Sequence, residues 1–134
     1  KTGQVTFTPV PKSAIERIKT MEDVLKELNI DQDDFEDACD GLLPDEVAYR
    51  KLKLIAKAMN EGWEPDWKDN SQPKYYPWFE MDSSSSGFRF YVYDRWPANS
   101  IVGSRLCFVS RATAEHAGKQ FAHVYKEFMT INSK

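Results

Sequence analysis

Two runs in the middle of the chain constrain its fold more than any other feature. KYYPWFEM (74–81) and FRFYVYD (88–94) are dense in aromatic residues, and DSSSSG (82–87) between them is made of turn formers. That pattern predicts two antiparallel strands joined by a short connection. Along the second run, Phe88, Phe90 and Val92 alternate with Arg89, Tyr91, Tyr93 and Arg95. Strict alternation sends the first set to the core and the second to the opposite face. Pro77 fits best on an edge strand, because it cannot donate to a ladder. SRLCFVS (104–110) reads as a third strand.

Helical signals surround this hairpin. QVTFTPVP (4–11) is an extended lead-in, its prolines excluding an early helix. Thr20 caps a helix over MEDVLKEL that buries Met21, Val24, Leu25 and Leu28. A short turn over 32–39 ends by Gly41, and Pro44 opens a helix that stops at Gly62. Ser110 caps a final helix in which Ala114, Ala117, Phe121, Val124, Tyr125 and Phe128 recur at three- and four-residue spacing. Gly118 lies on that stripe, where a missing side chain lets the helix approach the sheet. The expected class is α+β in one domain: a lead-in over 1–15, a mainly helical part over 16–62, an irregular connection over 63–74, and over 75–130 a three-stranded antiparallel meander with a long C-terminal helix packed on it.

Charge is unevenly placed. Residues 1–70 hold 10 Lys+Arg against 16 Asp+Glu, a balance of −6, and residues 71–134 hold 8 against 5, a balance of +3, which sum to the net −3. Neither half has the dense cationic surface of a duplex-DNA binder. No apolar run reaches the ~20 residues of a membrane-spanning helix. The two cysteines, Cys39 and Cys107, read as reduced thiols of a cytoplasmic protein. The chain begins at Lys1, so a removed leader stays open.

Nine of the 18 aromatics lie between Tyr75 and Trp96. The strand pairing predicts Tyr75, Phe79, Phe88, Phe90, Leu106 and Phe108 toward the last helix. It puts Tyr76, Trp78, Arg89, Tyr91, Tyr93 and Arg105 on the other face. Rings interleaved with arginines are what single-stranded nucleic acid requires, each stacked base contributing about 1–3 kcal/mol. The helices at 21–28 and 44–61 also have apolar faces to bury, and the expectation is that they cover this face.

Three motifs, NEGWEPDW (60–67), KYYPWFEM (74–81) and VGSRLCF (102–108), together with the helix SRATAEHAGKQF, resemble a family of uncharacterised small proteins of anaerobic gut bacteria and their phages or mobile elements. The likeness runs from about Glu16 to Phe128. It implies an accessory protein of a mobile genome, and it transfers no activity and no catalytic residue.

Other candidate constellations are weak. His116 and His123 sit about 10 Å apart along one helix, too far to share a metal, and read as surface residues. A Cys107–His116 nucleophile pair has nothing to orient its base. DQDDFEDACD (31–40) does not match the calcium-loop spacing. No cofactor or metal is expected, and an enzyme of unknown reaction is kept as a remote alternative. The sequence favours a non-catalytic binding module, a protein-interaction or regulatory adaptor built around Trp63, Trp67 and Trp96, with an unknown protein or a second copy as partner. The alternative is a weak single-strand binder using Trp78, Arg89, Tyr91, Tyr93, Arg95 and Arg105.

Overall fold

The structure is a computed structural model and describes residues 12–81, 88–96 and 102–131. In chain order the elements are α1 (Ala14–Arg17), α2 (Met21–Glu27), α3 (Gln32–Cys39), α4 (Pro44–Asn60), β1 (Lys74–Met81), β2 (Phe88–Trp96), α5 (Arg111–Gln120) and α6 (Ala122–Met129). The α+β class holds. The extended stretch expected over 4–11 and the connections at 82–87 and 97–101 lie outside the described residues. Within the expected lead-in, Ser13 instead caps α1, its side chain accepting from the Glu16 N–H while Glu16 accepts from the Ser13 N–H.

Local chemistry sets the helix ends. Thr20 and Asp23 form the reciprocal capping pair that starts α2, and Pro44 occupies the first turn of α4. After Asn60 the chain leaves the helix through two left-handed residues, Glu61 (φ 50°) and Gly62 (φ 91°). The α4 face carrying Ala48, Leu52, Ile55, Ala56 and Met59 is buried. It packs on α2 and α6, not over the free face of the sheet. The expected cover over that face is therefore replaced by a different layering, with α5 and α6 between the sheet and α4.

The C-terminal helix is two helices rather than one. The break is a single residue, Phe121, which is fully buried and has non-helical angles. It frees the two segments to serve different neighbours: α5 packs on both strands, and α6 packs mainly on α4. Gly118 makes the first contact possible. A Cβ there would lie 2.4 Å from Phe90 Cδ1 and 2.7 Å from Pro77 Cβ, so only glycine lets α5 sit this close.

The expected third strand contracts to one bridge. Tyr75 and Phe108 exchange both backbone hydrogen bonds, at 3.1 and 2.7 Å, and among the described residues the sheet itself has only β1 and β2. The reason is in the sequence. In an antiparallel ladder the next hydrogen-bonded positions on β1's side are two residues away in each direction. Those positions are Pro73 and Pro77, and neither has an N–H to give. On its other side, the 107–109 segment is held by a side chain. Asn60 Nδ2 donates to the Cys107 carbonyl at 2.9 Å, and the Val109 N–H donates to Asn60 Oδ1 at 3.0 Å. One buried amide thus supplies the pair of bonds a neighbouring strand would have made.

Candidate functional site

The register of the hairpin decides which side chains share a face. β1 and β2 pair antiparallel from Lys74↔Trp96 to Trp78↔Val92, then from Phe79↔Phe90 to Met81↔Phe88. Tyr91 has no partner between them, so it is the extra residue of a β-bulge. A bulge shifts the inside–outside alternation by one position beyond it. Before it, Phe88 and Phe90 face the core and Arg89 faces out, as alternation predicts. After it, Tyr93 turns to the α5 side. There it stands 5.8 Å from Tyr75, under the Arg111 guanidinium at 5.1 Å, and against the core cluster. Val92, predicted to be core, is half-buried opposite Trp78.

The face turned away from α5 therefore carries Trp78, Arg89 and Tyr91, with Tyr76 also on it but buried to 8% exposure. Trp78 is 53% exposed and Tyr91 64%; Met81 at the hairpin end is also exposed but, as the register partner of Phe88, belongs to the other face. Arg89 and Glu80, paired across the strands, form a salt bridge of 2.9 Å. Being exposed, that pair contributes at most about 1 kcal/mol to stability, but its two charges cancel.

The six residues of the nucleic-acid reading do not converge. Trp78, Arg89 and Tyr91 share the outer face. Tyr93 is on the opposite side, and Arg95 is exposed at the end of β2 across from Tyr75. Arg105 lies in the 102–109 loop, beside the end of α4. The tryptophans of the adaptor reading also separate. Trp67 is a staple: its Nε1 donates to Ser104 Oγ at 2.6 Å, and the Lys74 ammonium lies 5.2 Å above its ring. Lys74 is buried, and its Nζ donates to the Asp66 and Asp69 carbonyls. Trp63 is half-buried along a groove beside α4. Trp96 ends β2, and its side chain lies outside the described residues.

No protein-family model, curated protein or solved structure matches this chain. The functional reading rests on geometry.

The Cys107 thiol and the His116 ring have separate partners, the Ser104 and Ile18 carbonyls. Cys107 is 1% exposed, and burial pushes its thiol up to about 11, so it stays protonated and unreactive at neutral pH. His116 is not the surface residue expected. It is half-buried and hydrogen-bonded through Nε2 to the Ile18 carbonyl at 2.6 Å, tying α5 to the α1–α2 junction, while His123 is exposed. Among the described residues, no group of three metal-ligating side chains comes together, and no helix is long and apolar enough to cross a membrane.

The sequence reasoning missed Asn60 as the clip that fixes the 107–109 segment. Asn60 carried no signal, because its partners are 47 and 49 residues away.

Proposed function

We propose that this chain is a non-catalytic adaptor that docks a protein partner on the outer face of the β1–β2 hairpin. The observation that carries this is the exposure of Trp78 and Tyr91 beside an internally neutralised Arg89–Glu80 pair. Trp, Tyr and Arg are residues that protein interfaces concentrate, and large exposed aromatic side chains grouped on a rigid sheet mark interaction sites. A polyanion would need unpaired cations on this face. The arginine present there is engaged, and Glu80 and Asp94 lie on the same side by register. The single-strand reading keeps two of its rings and loses its phosphate contacts. The resemblance to phage and mobile-element proteins supports an accessory, regulatory setting inside the cell for such an adaptor.

The test is quantitative affinity capture with the intact chain and with Trp78→Ala plus Tyr91→Ala, circular dichroism confirming the fold of both. The reading expects one protein to be enriched by the intact chain and lost from the variant. Enrichment that ignores both substitutions, or nucleic acid as the captured species, would overturn it.

A further inference from the structure

We propose that the groove at the C-terminal end of α4 is a second site, independent of the sheet face, for a small planar anion: a ring compound carrying a phosphate or carboxylate. The groove encloses about 640 Å³, within the range of small-molecule sites. Lys53 and Lys57 stand one turn apart on α4 along one wall, and Arg105 enters from the 102–109 loop. Trp63, Leu54 and Pro65 supply the apolar surface.

Three features make this a site rather than a dent. Among the described residues, none of the three cations takes part in a salt bridge. The Lys53 ammonium rests 4.8 Å over the Tyr49 ring, outside this groove's lining, which leaves Lys57 and Arg105 as the cations open to a ligand there. Glu64, the one carboxylate along the wall, is likewise without an ion pair, so the groove keeps an excess of positive charge in a chain whose net charge is −3. Like charges lining one concavity attract an anion and raise its local concentration. Second, the loop that brings Arg105 is already fixed, by the Asn60 amide at 107–109 and by the Trp67–Ser104 bond. Binding then costs little ordering. Third, the Trp63 indole gives a flat ring a surface to stack on, with Lys57 and Arg105 lining the same groove to take the acidic group. A peptide chain would need a longer track than one compact groove.

Isothermal titration of the whole chain with the four ribonucleoside 5′-monophosphates tests this, with ribose 5-phosphate (anion without ring) and adenosine (ring without anion) as controls. At least one monophosphate is expected to bind with a Kd below about 1 mM, weakening with salt, and each control about tenfold more weakly. Lys57→Glu, at an exposed position that spares the fold, should weaken binding about tenfold or more, and Trp78→Ala with Tyr91→Ala should leave it unchanged. A 5-fluorotryptophan signal from Trp63, assigned with Trp63→Phe, should shift on binding. No heat and no shift with any monophosphate, or controls that bind equally well, would overturn the assignment. So would an acidic decapeptide that binds more tightly through Lys57, which would make the groove a peptide site.

Discussion

Replacing Asn60 by alanine should destabilise the chain by about 2–3 kcal/mol. The side chain makes two hydrogen bonds, at 2.9 Å to the Cys107 carbonyl and 3.0 Å from the Val109 N–H. Cys107 is 1% exposed, so its carbonyl would lose its donor without gaining water, a cost of about 1–3 kcal/mol. Val109 is 38% exposed, so its N–H regains water and the loss there is about 0.5–1 kcal/mol. Alanine returns about 0.5 kcal/mol of helix propensity at the end of α4. For a chain of this size the net loss lowers Tm by about 10 °C, readable by thermal circular dichroism and by urea titration with an unchanged m-value. Asn60→Asp sharpens the test. It keeps the acceptor for Val109 but sets a carboxylate oxygen against the Cys107 carbonyl. Its folded-state pKa is then raised above the ordinary aspartate value, so stability is present at low pH, where the acid donates to Cys107, and is lost as pH rises through that raised pKa. The gap to the wild type should widen between about pH 4 and pH 7. An Asn60→Ala loss below about 0.5 kcal/mol, or an Asp variant whose gap ignores pH, would refute the clip.

Gly118→Ala should destabilise by about 1–2 kcal/mol in urea titration, because a clash 2.4 Å from Phe90 and 2.7 Å from Pro77 outweighs the roughly 1 kcal/mol gained in helix propensity. The bulge predicts unequal neighbours: Tyr93→Ala should cost about 2 kcal/mol or more, and Tyr91→Ala about 0.5 kcal/mol or less, whereas strict alternation would make the two alike. In alkylation by iodoacetamide at pH 8, half-buried Cys39 should react first and Cys107 only on unfolding, as peptide mapping by mass spectrometry would show. A labelled single-stranded oligonucleotide should show no salt-sensitive anisotropy change that Trp78→Ala with Tyr91→Ala removes, since the exposed rings of the sheet face lack free cations beside them.

Much of this architecture was legible because its causes are local. The Thr20, Pro44 and Ser110 helix starts, the α4 and α5–α6 stripes, and the close approach at Gly118 follow from residues within a few turns of one another. The inward placing of Tyr75, Phe79, Phe88 and Phe90 follows from period two. What failed depended on a single residue or on distant ones. One bulge at Tyr91 turned Tyr93 inward and split the predicted arginine–tyrosine face, and nothing in FRFYVYDRW announces it. The missing third strand was readable in principle from Pro73 and Pro77, which flank Tyr75 at the two positions that need an N–H. The burial of the helices could be foreseen as a need but not as a place: the stripes on α2 and α4 say that they pack, and only the break at Phe121 lets α6 be what α4 packs against.

The docking claim is tested most directly by a benzophenone amino acid placed at Tyr91 in the intact chain and irradiated in the cells that make it. The account predicts one discrete adduct that protease destroys and nuclease leaves intact. It should disappear when Trp78→Ala is added and be absent when the same probe replaces the exposed Arg50 on α4. A nuclease-sensitive adduct, or no adduct at Tyr91, would contradict it.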